Sequence, residues 1–160
     1  MNKRISFLTP VKVLMVVVLL YFMVYLQTGI KDSQASVEAV AQSVTAAVSM
    51  DNMQDSSNRK FKKLYGLNAG DYEGVAFYMP LTNMNAEEIL IIKLKDQSQA
   101  EAVTEAVNVR LETQKSSFEG YGIEQFALLE KHILDVRGNF IFYVVHTDAG
   151  KAAAAFADAL

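Results

Sequence analysis

An unbroken apolar run near the start of the chain is the feature that most restricts what this sequence can become. The run extends over fourteen residues, from Val13 to Leu26. A helix needs about 20 residues to cross a hydrocarbon core of about 30 Å at 1.5 Å per residue. Extending the segment from Val11 to Ile30 gives twenty residues, whose weak points, Lys12, Gln27, Thr28 and Gly29, lie near its ends. The sequence therefore predicts one transmembrane helix before the rest of the chain.

The charges around this segment predict its orientation. Lys3, Arg4 and Lys12 precede or begin the run, and basic residues favour the cytoplasmic side. We therefore expect residues 1–30 to form a cytoplasmic stub and transmembrane anchor. Residues 31–160 are expected to form one extracytoplasmic domain of a single-pass cell-membrane protein. The alternative is a cleaved signal peptide with a site near Ser33-Gln34-Ala35, and it also leaves the domain exported.

Composition excludes several classes of function for the predicted domain. Residues 31–160 carry 12 basic and 18 acidic side chains, a net charge of −6, which disfavours nucleic-acid binding. The chain contains no cysteine, which excludes disulfides, thiolate metal sites, cysteine nucleophiles and a lipid-modified cysteine. Any membrane attachment must therefore come from the peptide itself.

Hydrophobic periodicity predicts an α+β domain. Apolar residues at helical spacing indicate helices, and alternating apolar residues indicate strands. The predicted helices are 30–50, 59–65, 97–118, 124–131 and one that follows Asp148; the predicted strands are 72–79, 88–95, 133–137 and 140–146. Residues 51–58 are polar and are predicted to form a loop. The expected fold is a four-stranded, mainly antiparallel sheet in α-α-β-β-α-β-β-α order, with helices chiefly on one side and the transmembrane helix in front.

The last predicted strand is the strongest indication of a partner. Residues 140–145 are all apolar, whereas a strand with one wet face alternates apolar and polar residues. Both faces of the sheet are therefore expected to be covered at this strand. The cover is either the helix around residues 37–48 or another protein that contacts Phe142 and Tyr78.

The loop Gly120-Tyr121-Gly122 is a second candidate binding element. An aromatic ring between two glycines can lie over a shallow pocket and stack on a peptide or sugar. Equally, Gly120 can end the preceding helix while Tyr121 packs into the core.

A cluster of basic residues is a third candidate. Arg59, Lys60, Lys62 and Lys63 lie on one short predicted helix, and cations near a membrane are attracted to anionic lipid. The alternative interpretation is an ordinary solvated helix face.

Other polar residues carry no catalytic or metal-binding pattern. Asp71, Glu73, Glu87 and Glu88 flank two predicted strands and offer acid–base chemistry only if they gather at one end of the sheet. A two-residue turn at Gly138-Asn139 would direct the only two histidines, His132 and His146, to opposite faces. We therefore expect no catalytic residues, no metal and no cofactor.

Several short motifs in order resemble a bacterial family known only as a domain of unknown function, DUF4358. They are Lys63-Leu64-Tyr65-Gly66-Leu67, Tyr78-Met79-Pro80, Ala86-Glu87-Glu88-Ile89, Gln114 with Phe118-Glu119-Gly120-Tyr121-Gly122, and Gly138-Asn139-Phe140. The resemblance covers roughly residues 37–156. It implies a small exported lipoprotein or single-span membrane protein, and this chain departs from the lipoprotein pattern because it lacks cysteine. It implies no known chemistry.

The expected function is therefore a non-enzymatic, membrane-tethered module of the bacterial cell envelope. Its expected partner is another envelope protein or a wall component. It is also expected to contact the membrane through the N-terminal helix. One alternative is a small-molecule sensor with a pocket between the sheet and the loop at residues 120–122. Another is a hydrolase that uses the acids at the strand ends.

Overall fold

The computed structural model describes residues 8–27 and 32–160. The chain divides into two compact units, Met1–Lys31 and Asp32–Leu160. The first unit contains helix α1, Leu8–Gln27, in which residues 11–21 are exposed. Within the two described ranges, no helix has the length and apolar character needed to cross a membrane, so the structure does not support the predicted transmembrane helix. The predicted stub at residues 1–7 and the predicted end of the span at residues 28–30 lie outside the described ranges.

The second unit combines five helices with five strands. Its elements in chain order are α2 Val37–Ala47, β1 Met53–Asp55, α3 Asn58–Tyr65, β2 Gly74–Pro80, β3 Glu88–Lys93, α4 Ala100–Phe118, α5 Ile123–Glu130, β4 Ile133–Arg137, β5 Phe140–Val145 and α6 Ala149–Asp158. Single 3₁₀ turns at residues 69–71 and 97–99 precede β2 and α4. This order confirms the predicted mixture of helices and antiparallel strands.

The sheet has five strands rather than the predicted four. All neighbours are antiparallel, in the order β1-β2-β3-β5-β4. The extra strand, β1, lies in the segment predicted as a loop, and Met53 pairs with Pro80 at the sheet edge. In β1 only Met53 is buried, whereas Gln54 and Asp55 are exposed. Three residues with one buried side chain leave too little alternation for a sequence pattern to reveal a strand.

Helices cover both faces of the sheet, so the expectation of helices chiefly on one side was wrong. On one face, α2 and α6 pack on Ile89, Ile91, Phe140, Phe142 and Val144. On the other face, α3, α4 and α5 pack on Leu90, Ile92, Ile141, Tyr143 and Val145. Every residue of β3 and β5 is buried, as expected for strands covered on both sides. The intramolecular interpretation of the apolar strand, with the helix at 37–48 as its cover, is thereby confirmed.

The β4–β5 hairpin has the predicted register. Arg137 pairs with Phe140, so the turn contains only Gly138 and Asn139. Gly138 has φ of 56°, the left-handed conformation that such turns require. This register directs His132 and His146 to opposite faces of the sheet.

Two helix starts show how local sequence sets the element boundaries. Helix α2 begins at Val37, later than predicted, because the Ser36 side chain caps it by accepting a hydrogen bond from the Ala39 amide at 3.2 Å. Asp96 and Gln99 form a capping box before α4.

Candidate binding groove

An open groove lies between the β2–β3 connection and the C-terminal half of α4. Its volume is about 490 Å³, within the range of roughly 300–1,000 Å³ typical of ligand pockets. One wall is formed by residues 79–83 and 85, and a second by Arg110, Gln114, Ser117, Phe118 and Tyr121. Gln54, Lys60 and Leu64 complete the lining from β1 and α3. The groove therefore combines apolar side chains with a few polar groups, as binding sites commonly do.

Hydrogen bonds at both ends hold the wall formed by the β2–β3 connection. At one end the Leu81 amide donates to the Asn52 carbonyl at 2.8 Å. At the other end the Ala86 amide donates to Gln125 Oε1, also at 2.8 Å, and Ala86 is fully buried. Asn85 also folds its side chain back to accept from the Glu87 amide at 2.9 Å. This connection is therefore fixed to both β1 and α5, although Leu81 and Met84 remain exposed.

The loop between α4 and α5 presents Tyr121 at the rim of the groove. Gly120 has φ of 85°, which ends the path of α4, and the Gly122 amide donates to the Phe118 carbonyl at 2.9 Å. A Cβ atom on Gly122 would lie only 2.5 Å from Phe118 Cδ1, so glycine allows the loop to pass this ring. Tyr121 is 67% exposed, and its ring centroid lies 6.2 Å from that of Phe118. Tyr121 therefore lies at the rim of the groove rather than in the core.

Arg110 and Gln114, at the floor of the groove, belong to a buried polar cluster whose other members, Tyr65, Glu88 and Tyr143, do not line the groove. Glu88 is completely buried and accepts hydrogen bonds from the Tyr65 hydroxyl, from Arg110 Nη2 at 2.7 Å and from Gln114 Nε2 at 3.2 Å. The Arg110 side chain is only 15% exposed. Tyr143 also lies in this environment, but its buried hydroxyl has no hydrogen-bond partner among the described residues. A buried carboxylate that accepts hydrogen bonds from three side chains is held in one position.

The charges of this cluster perturb its tyrosines and its arginine. Burial, with the adjacent Glu88 carboxylate, raises the pKa of Tyr65 well above its usual value. Burial and the same carboxylate also raise the pKa of Tyr143. Burial alone would lower the pKa of Arg110, but the hydrogen bond and charge of Glu88 raise it overall. At neutral pH both phenols therefore remain neutral and Arg110 remains charged.

Sequence reasoning missed the floor of this groove. Charged residues of a helix such as α4 are expected to face water, but Arg110 is turned inward toward Glu88. A signal was present: Glu88 precedes Leu90 and Ile92 on the same strand face, and an acid on a buried face requires a partner. The partner lies 22 residues further along the chain, so it could not be assigned without the fold.

The predicted binding residues do not form one site. Gly120 and Gly122 hold the loop and Tyr121 lines the groove, but Phe142 is fully buried on the other side of the sheet. The Phe142 ring stacks on Phe156 of α6, with centroids 4.6 Å apart and planes at 12°. The suggestion that Phe142 contacts a partner was therefore wrong, because α6 already covers it. Tyr78 is half-buried on the same side as Phe142 and does not line the groove.

The basic residues of α3 are exposed as a group. Phe61 and Tyr65 of this helix pack into the core, whereas Arg59, Lys60, Lys62 and Lys63 face solvent. Among these four cations, Lys60 is the one that lines the groove. The other three remain available as a charged outer surface.

The acids that flank β2 and β3 lie at two ends of the sheet. Glu73 precedes Gly74, which pairs with Lys93 at the end of β3, and Glu73 forms a 2.8 Å ion pair with Lys93. Glu88 begins β3 at the opposite end. The acids therefore do not gather into one acid–base centre. Among the described residues, no group of three or more acidic or histidine side chains has the arrangement needed to hold a metal ion.

His146 is engaged through both ring nitrogens. Nε2 lies 3.0 Å from the Ser49 carbonyl and 3.5 Å from Glu87 Oε1, while Nδ1 accepts from the Asp148 amide at 2.9 Å. Since Nδ1 accepts a hydrogen bond, the proton of the neutral ring is assigned to Nε2. The histidine thus joins the segment after α2 to the start of α6.

The described domain is an α+β fold with a five-stranded antiparallel sheet between two helical layers and a groove at one end of α4. The chain belongs to the family Domain of unknown function (DUF4358), whose family model matches residues 46–146. This match confirms the resemblance drawn from the short motifs. Comparison with curated proteins and with solved structures found no significant match.

Proposed function

We propose that this protein is a non-enzymatic binding module, tethered to the cell membrane, that takes part of another envelope protein or of a wall component into the groove. One observation carries the proposal: Tyr121 is two-thirds exposed at the groove rim, on a loop held by two glycines. Exposed aromatic side chains beside a concave surface are enriched at binding sites, where they bury large areas at low entropic cost.

The arrangement of the polar groups supports binding rather than catalysis. Both oxygens of Glu88 accept hydrogen bonds, and both nitrogens of His146 lie at hydrogen-bond distance from backbone groups. A general base needs a lone pair directed toward a substrate. These side chains instead hold parts of the fold together.

The first test is affinity capture with the full-length protein from solubilised membranes. Tyr121→Ala should reduce capture of the partner at least fivefold without changing the melting temperature, because it removes an exposed ring from the groove. Ile123→Ala is the matched control, since Ile123 is also highly exposed but does not line the groove. Equal capture by the wild type and both variants would refute the groove as the binding surface.

The location proposed for the domain rests on the N-terminal sequence. The supporting observations are the apolar residues from Val13 to Leu26 and the basic residues Lys3, Arg4 and Lys12 before or within the segment. A reporter enzyme that is active only outside the cytoplasm, fused behind Leu160, should be active in intact cells. Activity confined to a cytoplasmic reporter at the same position would contradict both the orientation and an envelope partner.

The exposed cations of α3 favour an additional contact with an anionic membrane surface. Arg59, Lys62 and Lys63 are exposed and do not line the groove, and each cation near such a surface contributes about 1 kcal/mol. Vesicles that contain anionic lipid should retain the wild-type protein better than an Arg59→Gln/Lys62→Gln/Lys63→Gln variant. Equal retention at low salt would exclude this contact.

A small-molecule sensor is the second candidate function. The observation in its favour is the buried Oε1 atom of Gln114, which lacks a hydrogen-bond partner among the described residues although the residue lines the groove. A specific ligand would raise the melting temperature by mass action. A thermal-shift screen of envelope metabolites distinguishes the two functions, since a sensor should be stabilised by one of the metabolites, whereas a module that binds a protein need not be.

A further inference from the structure

The groove differs in charge from the domain that contains it. Residues 31–160 carry a net charge of −6. None of the described residues that line the groove is acidic, whereas two of them, Lys60 and Arg110, are basic. Arg110 is paired with the buried Glu88 behind it, so the remaining charge of the groove is that of Lys60, which attracts an anionic group.

The floor fixes the orientation of the Gln114 amide. Its Nε2 atom donates to Glu88 Oε2 at 3.2 Å, and an ionised carboxylate only accepts hydrogen bonds. The amide nitrogen must therefore face Glu88, which leaves Oε1 as an acceptor directed elsewhere. Gln114 is 5% exposed, and Oε1 has no partner among the described residues. A buried acceptor without a donor costs free energy, and a ligand N–H that displaces the side chains covering Oε1 can recover it.

Arg110 provides a donor next to this acceptor. Its hydrogen bonds to Glu88 come from Nε and Nη2, so Nη1 takes no part in them. Arg110 and Gln114 are four residues apart on α4, and side chains at this spacing are neighbours on one helix face. The floor thus offers a guanidinium donor and an amide acceptor side by side.

We propose that the groove recognises the carboxyl-terminal residue of a peptide. Its carboxylate binds Arg110 and Lys60, its backbone N–H donates to Gln114 Oε1, and the Tyr121 ring covers the residue. A terminal residue carries the amide donor and the carboxylate on the same Cα atom, which matches the adjacent acceptor and donor of the floor. This inference rests on the proposed binding function and names the chemistry of its ligand. Such a terminus occurs both on envelope proteins and on the short peptides of a cell wall.

The test compares three pools of acetylated tetrapeptides on the full-length protein in detergent. The first pool has free carboxyl termini of L-residues, the second contains the same peptides as carboxyl-terminal amides, and the third has free carboxyl termini of D-alanine. Binding is measured as the pool concentration that raises the melting temperature by the same fixed amount, because the rise grows with the logarithm of ligand concentration and does not saturate. We expect a free-acid pool to act at a concentration at least tenfold lower than the amide pool. Stronger binding of the first pool identifies a protein terminus, and stronger binding of the third identifies a wall peptide.

Two lysines on the same helix provide matched variants. Lys60→Gln should weaken binding of the free-acid pool by roughly two- to fivefold, as expected for a partly exposed charge pair. Lys63→Gln removes the same charge from α3 but outside the groove, and it should change binding less than Lys60→Gln.

Three outcomes would overturn the inference, and the first two separate it from the proposed function. If acid and amide pools bind equally and Tyr121→Ala weakens both, the groove is a binding site but does not recognise a carboxylate. If no pool binds while Tyr121→Ala still abolishes capture of a partner, the ligand is not a peptide terminus. If no pool binds and capture is also unaffected, both the inference and the proposed function fail.

Discussion

The buried Glu88 carboxylate allows the sharpest stability prediction. Glu88→Gln keeps the size of the side chain but replaces one acceptor oxygen with an NH₂ donor. Placed at the position of Oε2, this NH₂ would face Arg110 Nη2 and Gln114 Nε2, which are both donors. Placed at Oε1, it faces the Tyr65 hydroxyl, which can rotate to accept, and Arg110 Nε at 3.4 Å. The second placement is favoured, and it leaves the Arg110 charge without a counter-charge.

The expected loss is about 3–5 kcal/mol, the typical cost of removing one partner from a buried ion pair. For a domain of this size that loss lowers the melting temperature by about 10–20 °C. The assay is urea denaturation of the full-length protein, followed by far-UV circular dichroism. Glu105→Gln, an exposed acid on α4, is the control and should change stability by less than about 0.5 kcal/mol.

A double substitution tests the reasoning further. Glu88→Met combined with Arg110→Met removes both charges, so it should be more stable than either single substitution. A loss below about 1 kcal/mol for Glu88→Gln, or additive losses in the double variant, would refute the view that this pair is a mutually dependent buried unit.

The remaining predictions concern neighbouring parts of the domain. Tyr65→Phe should cost about 1.5–3 kcal/mol of unfolding free energy, because it deletes a donor to the buried carboxylate, whereas Tyr143→Phe should be neutral or stabilising, because its hydroxyl has no described partner. Folding raises the pKa of both tyrosines, so the stability that depends on their neutral form is complete below the unfolded pKa of about 10 and is lost as pH rises above it. In denaturation measurements from pH 8 to 11, the free energy of unfolding should therefore fall less steeply for Tyr143→Phe than for the wild type. Gly122→Ala should cost about 1–3 kcal/mol, since the new Cβ would lie 2.5 Å from the Phe118 ring, and an unchanged melting temperature would contradict this contact. Phe142→Ala should cost about 3–5 kcal/mol of unfolding free energy, because it leaves a cavity in the core. A variant with normal stability but weakened partner capture would show instead that Phe142 contacts the partner.

The outline of the fold was predictable where short-range patterns decide it. The unbroken apolar residues of β5 predicted a sheet covered on both faces, and Gly138-Asn139 predicted the hairpin register. The distribution of helices between the two faces was not predictable, because the amphipathic pattern of each helix shows that one side is buried but not which sheet face it meets. Strand β1 was missed since it depends on pairing with β2 rather than on its own pattern.

The candidate groove was predictable only in part. The glycines around Tyr121 indicated an adaptable loop, but its exposure depends on how Phe118 fills the space beneath it. The Glu88–Arg110 pair joins residues from a strand and a distant helix, so spacing alone could not reveal it. The sequence error at Phe142 has the same origin, because α6 supplies its cover from the far end of the chain.

The central claim is that the groove beside Tyr121 contacts a partner in the living cell. A photo-crosslinking amino acid placed at residue 121 of the full-length protein tests this claim most directly, with the exposed Val109 on α4, outside the groove, as the control position. Irradiation of intact cells should give a discrete adduct from position 121 and none of the same mass from position 109. No adduct from position 121, or an identical one from both positions, would contradict the account.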